Sequence, residues 1–180
     1  MSETAITIRP FSSTDTVALL ECWDQALPLD SITRDLLESR ILLDHSYETG
    51  SLQLAWQGTN VVGFITSFVL LKPIEKTGMR DDTGFVTAFG VHPDFLDSGA
   101  GPALLSAADD FFRARGRRLA LLSPYTPNYF VPGIDKDNYP ALLGMLEAHG
   151  YVEYSEALAA DALIGTFVMP DKAAAAEQRL

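Results

Sequence analysis

The sequence holds one cysteine, Cys22, in 180 residues. That excludes an internal disulfide and a cysteine-built zinc cluster. Histidine is also scarce, and His45, His92 and His149 lack metal-ligand spacing, so no metal is expected. Positive charge is short: 13 Lys and Arg face 24 Asp and Glu, a net charge of −11 at pH 7. Such a balance argues against a nucleic-acid partner. It tells little of a small-molecule substrate, which meets only a local field, and it tolerates a cationic amine. No apolar run approaches the roughly 20 residues of a membrane span, so no membrane partner is expected. The opening MSETAITIRP lacks the charged and apolar regions of a secretory signal. A reducing cytoplasm is the simplest compartment for such a chain.

Apolar residues make up 47% of the chain, enough for a substantial core. The expectation is one domain over residues 1–170 and a short alanine-rich tail over 171–180. The chain is organised around Gly84 to Arg118. Gly84 to His92 is mostly apolar, with Phe85, Val86, Thr87, Phe89 and Val91, as a buried strand should be. Pro93 ends it. Ser98-Gly99-Ala100-Gly101 is a tight loop, and Pro102 suits the first turn of a helix. Leu104, Leu105, Ala108, Phe111 and Phe112 form one apolar face at helical spacing. Gly116 is a fitting stop.

A glycine loop that feeds a helix N-terminus makes an anion site, because free N–H groups and the positive end of the dipole converge there. The functional reading is a phosphate-bearing ligand at Ser98, Gly99, Ala100, Gly101, Pro102 and Ala103. The bland reading is a plain strand-to-helix turn. A Walker loop is excluded, since Pro102 and Ala103 follow Gly101 where Lys and Ser or Thr are required. A dinucleotide fingerprint is excluded too, because Leu104 stands where its third small residue belongs.

In chain order, Ala5 to Phe11 alternates as a first strand. Ser12 or Ser13 caps a helix with Val17, Leu20, Trp23 and Leu27 inward. Asp30 or Ser31 caps a second, reaching about Leu43. Asp44 to Ser51 reads as a polar loop. Leu52 to Gln57 and Val61 to Leu71 are strands joined by Gly58-Thr59-Asn60. Lys72 to Thr83 is an exposed loop. The central strand, loop and helix follow, then a fifth strand from Arg118 to Ser123. Pro124 to Asn138 is dense in proline and aromatics for a free loop. It either packs on the domain edge or walls a substrate pocket with Tyr125, Tyr129 and Phe130. Asp137 or Asn138 caps a last helix with Ala141, Leu142, Leu143 and Leu146 inward. Tyr151 to Leu158 and Ala162 to Met169 make a final strand pair. The fold class is α/β (α+β), a mixed central sheet of about seven strands flanked by about four helices.

Phe89-Gly90-Val91-His92-Pro93, then Gly99-Ala100-Gly101, then Ala103-Leu104-Leu105, resembles the acyl-CoA-binding core of the GNAT family of N-acetyltransferases. Asn138-x-x-Ala141 with Gly150-Tyr151 resembles that family's Asn-x-x-Ala … Gly-Phe helix. The element order resembles the family's over nearly the whole chain. The resemblance implies an acyl-CoA N-acyltransferase-like fold with acetyl-CoA as co-substrate. It implies direct attack of a small-molecule or peptide amine on the thioester. The pantetheine arm is then expected on Phe89, Gly90 and Val91, with Gly90 as a bulge, and the pyrophosphate at Leu96, Asp97 and Ser98 to Ala103. Asn138 joins the cofactor set. Three positions depart from the family pattern: Leu96 for Gln or Arg, Thr87 where a glutamate base often stands, and Leu146 for a tyrosine acid. Tyr125, Tyr129 and Tyr139 are the candidate acids, with a water chain to bulk as the alternative. A non-catalytic acyl-CoA-binding module of the same fold is the competing function, and a homodimer is left open.

Overall fold

The computed structural model describes residues 5–73 and 78–156. Five strands lie in one sheet in chain order: β1 (Ile6–Pro10), β2 (Leu52–Gln57), β3 (Asn60–Phe68), β4 (Thr83–Val91) and β5 (Leu119–Leu122). Neighbours run antiparallel except β4 and β5, which run parallel. A parallel pair needs a crossover, supplied by α3 (Ala100–Arg113). The helices α1 (Thr16–Ala26) and α4 (Pro140–Ala148) complete the main set, with the short α2 (Arg34–Leu37) continuing as a π turn over Glu38–Leu42.

The two faces of the sheet are covered differently. A Cβ on Gly63 would meet the Leu104 side chain, and one on Gly84 the Phe112 ring, so these residues face α3. Phe64 faces α1, where its ring stacks on Trp23 at 4.1 Å. By alternation Thr66 and Phe68 share that face. Every residue of β4 is buried, as a central strand covered on both sides must be.

Several expectations are corrected. Tyr151 to Glu156 holds no strand, and the rest of the expected final pair lies outside the described residues, so the described sheet has five strands rather than about seven. The tail over 171–180 also lies outside them, as do residues 74–77 of the expected exposed loop. In α1 the buried side is Leu19, Cys22, Trp23 and Ala26, while Val17 is exposed. The cause is the start of the helix. Asp15 accepts from Ser12 N–H at 2.8 Å and takes both Arg9 nitrogens at 2.8 and 2.9 Å, closing a 3₁₀ turn that shifts the phase of the stripe. The second helix begins later than expected, because Thr33 rather than Asp30 or Ser31 accepts from Leu36 N–H. The last helix begins at Pro140, and Asp135 takes the N–H groups of Asp137 and Asn138.

The strand bulge also lies elsewhere. Thr66 pairs with Ala88 and Ser67 with Val86, which leaves Thr87, not Gly90, as the extra residue. Gly90 is a close-approach glycine: a Cβ there would lie 2.7 Å from the Phe64 ring and 3.0 Å from the Ala26 methyl.

Two glycines should therefore respond with opposite sign. Gly84→Ala forces a methyl into the Phe112 ring, which is 3% exposed and has no room to turn. Overpacking of that kind costs about 1–3 kcal/mol. Gly144, inside α4, has ordinary helical φ and nothing near an added Cβ, so Gly144→Ala should stabilise by about 0.4–1 kcal/mol. Urea denaturation measures both; equal effects would contradict the packing described.

Candidate functional site

After Val91 the chain makes a 3₁₀ turn over Pro93–Phe95, held by Asp94 N–H donating to His92 Nδ1 at 3.2 Å. Ser98 Oγ donates to Phe95 C=O at 2.6 Å and accepts from Ala100 N–H at 3.3 Å. Gly99 then caps α3 at φ 83°, a left-handed conformation that favours glycine, with open space where a Cβ would stand. The first helical bond runs from Ala103 N–H to Gly99 C=O at 3.2 Å. Among the described residues the N–H groups of Gly99 and Gly101 have no partner in the chain. These are the orphan donors of a helix N-terminus. Gly101 has a second reason to be glycine, since a Cβ would strike the Met145 thioether of α4. Asp94 and Asp97 are exposed beside the loop. Leu96 is half-buried and packs against the core. Pro102 is exposed at the helix start.

The second feature is a gap. β4 and β5 pair only from Thr83 to Val86, opposite Leu119 to Leu122. The last tie is Ser123 N–H to Val86 C=O at 2.7 Å. Ser123 then takes φ 79°, unusual for a residue with a Cβ, and turns the chain away. From Thr87 to Val91, β4 has no strand partner on that side among the described residues. Phe89 and Val91 are buried in that half of the strand, with Gly90 between them. Thr87 Oγ1 and Thr66 Oγ1 lie 2.6 Å apart, and Thr66 also donates to Ala88 C=O at 3.3 Å. Thr87 thus has no ionisable function and a committed hydroxyl.

The segment after β5 folds back onto the α1 face. Tyr125 is fully buried, stacked on Phe68 at 5.0 Å and tilted against Phe85 at 5.5 Å. Burial pushes its hydroxyl pKa up, and the hydroxyl donates to Asp44 Oδ1 at 2.9 Å. Phe130 stacks on Trp23 at 6.4 Å. Tyr129 is exposed at 53%. Tyr139 is buried, and its hydroxyl oxygen accepts from Leu29 N–H at 3.0 Å. Burial raises its pKa, so it stays protonated at neutral pH. Asn138 is exposed and donates to Asp135 Oδ2 at 2.8 Å. Leu146 is buried at 2% exposure.

Among the expected residues, the structure thus brings Phe89, Gly90 and Val91 close in sequence and space to the Ser98–Ala103 loop. Tyr125 and Phe130 lie on the α1 face, against Phe68 and Trp23, and Tyr139 meets the chain just after α1 through Leu29 N–H. The residue that sequence reasoning missed is Asp44, read as part of a polar loop. Its partner Tyr125 is 81 positions away, and nothing local marks either as a member of a pair.

Comparisons with known proteins agree with this fold. The family described as Acetyltransferase (GNAT) matches residues 16–131. No curated protein matches the chain. Among solved structures, the chain is similar to the ribosomal-protein-S18-alanine N-acetyltransferase of Escherichia coli at 20% identity and TM-score 0.60, covering 83% of this chain and 79% of that one. It is also similar to a transcriptional regulator of Bacillus halodurans C-125 at 17% identity and TM-score 0.63, covering 87% and 99%. An aminoglycoside antibiotic 6′-N-acetyltransferase of Acinetobacter baumannii matches at 17% identity and TM-score 0.61, covering 89% and 100%. At these identities the likeness concerns the fold. Among the described residues no helix is long and apolar enough to cross a membrane, and no group of side chains could hold a metal ion.

Cys22 borders an open groove of about 550 Å³ between α1 and the end of β4, shared with Glu21, Asp24, His92 and Asp94. Burial pushes its thiol pKa up to about 12, and it is 3% exposed. The thiolate is the reactive form, so at pH 8 the native thiol should resist a chromogenic disulfide reagent and react fully only in denaturant. Fast stoichiometric labelling of the native protein would contradict this placement.

Proposed function

The chain belongs to the GNAT acetyltransferase family, and on that premise we propose that it transfers an acetyl group from acetyl-CoA to a primary amine of a small molecule or peptide by direct attack. The observation that carries the proposal is the parting of β4 from β5 after Val86, beside a helix N-terminus with two unpartnered glycine N–H groups. The residues fit the co-substrate in two ways. The Gly99 and Gly101 donors and the dipole of α3 suit a pyrophosphate at Ser98–Ala103. The unpaired edge of β4 over Phe89, Gly90 and Val91 suits the amide-bearing pantetheine arm, in the manner of strand addition.

Bound acetyl-CoA supplies an activated acyl group with a thiolate as leaving group. The chain's part is to orient it, to exclude water and to let protons leave. N–H groups of the β4 edge near Val91 are suited to polarise the thioester carbonyl. Thr87 is no base, because its hydroxyl is held by Thr66. Leu146 is no acid. The acceptor amine loses its proton through water to bulk, and Tyr129 and Phe130 serve as walls rather than acids. Two relatives of the fold act, by their names, on an alanine of a ribosomal protein and on an aminoglycoside, both amines. The departures at Thr87 and Leu146 favour a second reading, an acyl-CoA-binding module without turnover; consumption of acetyl-CoA with any amine decides against it.

Isothermal calorimetry should detect acetyl-CoA binding to the full chain. Gly99→Val, which puts a β-branched residue at φ 83°, should weaken it at least about tenfold by distorting the cap. No heat of binding at millimolar ligand would overturn the proposal. In an amine panel, Tyr129→Phe and Tyr139→Phe should each keep turnover within about tenfold, short of the 10²–10⁴-fold loss typical of a positioned acid. Loss of turnover in either variant with acceptor binding intact would make that tyrosine the acid.

A further inference from the structure

A carboxylate enclosed among aromatic rings is costly unless several donors meet it. Asp44, between α2 and β2, has a fully covered side chain. Its Oδ1 accepts from Ser46 N–H at 2.7 Å and from the Tyr125 hydroxyl at 2.9 Å. Its Oδ2 accepts from Asn128 Nδ2, and His45 Nδ1 lies 3.8 Å from Oδ1. The Ser46 hydroxyl in turn accepts from Leu71 N–H at 3.3 Å, just beyond β3. Three distant pieces of chain therefore meet at one buried charge. The segment it grips starts where β5 leaves β4. Ser123 Oγ donates to Val131 C=O at 2.6 Å and closes that segment into a loop. The loop is pinned at its base by Ser123 and in its middle by Asp44, and it exposes Tyr129 between the two pins. The Tyr125 ring lies on the face of the sheet that bears Phe85 and Thr87.

We propose that Asp44 is a positioning residue of the acceptor site. Through Tyr125 and Asn128 it fixes the 124–131 loop beside the opening between β4 and β5, so that Tyr129 and Phe130 meet the body of the acceptor amine at a set place. This rests on the acetyltransferase reading above. Apolar side chains of similar volume would hold the loop down without the desolvation cost of a carboxylate. What they lack is direction: two loop donors, Tyr125 and Asn128, aimed at the two oxygens of a carboxylate that Ser46 N–H also holds allow one register of the loop. Phe130 depends on that register for its stack on Trp23.

The test uses the full chain with acetyl-CoA and three probe amines: a peptide with a free N-terminal alanine, spermidine and kanamycin. Asp44→Asn keeps the volume but sets an amide N–H against the Asn128 amide. Tyr125→Phe keeps both ring contacts and removes one donor. With whichever probe the wild type acetylates, Asp44→Asn should raise the amine KM at least about tenfold, while kcat and the acetyl-CoA KM stay within about threefold. Tyr125→Phe should move the amine KM the same way by a smaller factor. Hydrogen exchange should quicken over residues 126–131 and stay unchanged in β4. A merely structural role would lower the melting temperature and leave the amine KM of the folded variants where it was, and that result overturns the proposal. If Asp44→Asn does not fold, Tyr125→Phe decides by the same measurement. A wild type that neither binds acetyl-CoA nor acetylates any probe removes the acetyltransferase reading and this proposal with it; a wild type that turns over while both variants match it removes this proposal alone.

Discussion

The hydrogen bond from Ser123 N–H to Val86 C=O is the last tie between β5 and β4, and the candidate site exists because pairing stops there. Buried backbone groups must find partners. A β4 edge left without a strand from Thr87 onward is stable only if something else meets it. Two local features stop the pairing at the same level. Ser123 takes a left-handed turn, and the Thr87 bulge alters the course of β4. The crossover helix α3 then delivers its N-terminus next to the continuing end of β4. The gap and the open helix N-terminus are thus one construction, made by a parallel strand pair that parts after four residues.

The loop beyond β5 shows how packing and polarity divide the work. Rings supply most of the adhesion: Tyr125 on Phe68 and Phe85, Phe130 on Trp23, Trp23 on Phe64. Each such contact is worth about 0.5–1.5 kcal/mol beyond the area it buries. The Gly90 backbone makes room for this stack, since any side chain there would displace the Phe64 ring. The same glycine therefore serves the core from within the half of β4 that has no β5 partner among the described residues. Asp44 adds the directional element that rings lack.

The excess of acidic residues does not conflict with the anionic co-substrate proposed above. Asp94 and Asp97 stand in solvent near the loop, where water and salt screen them. The groups that face the loop are backbone N–H donors at a helix start, and these are independent of the side chains at Leu96 and Asp97. A cation at position 96 would add attraction, but Leu96 instead contributes apolar area to the core.

Local chemistry determined a good part of this protein from the sequence alone. The β4 strand, the Gly99 turn, the α3 stripe of Leu104, Leu105, Ala108, Phe111 and Phe112, and the β2–β3 hairpin all follow from short-range rules, and each stands where expected except that β3 ends at Phe68 rather than Leu71. The resemblance that led to the family rests on the same stretch. Tertiary structure decided the rest. The phase of α1 depended on the Arg9–Asp15 pair, which joins a strand to a turn. The bulge fell at Thr87 because strand register is a property of two strands together, and one strand's glycine content does not set it. Asp44 and Tyr125 look ordinary in their own neighbourhoods, and only the folded chain removes both from water and leaves each as the other's partner. Periodicity and turn chemistry act over a few residues and are written in the sequence, whereas burial and long-range pairing are set by what the whole chain places on the other side.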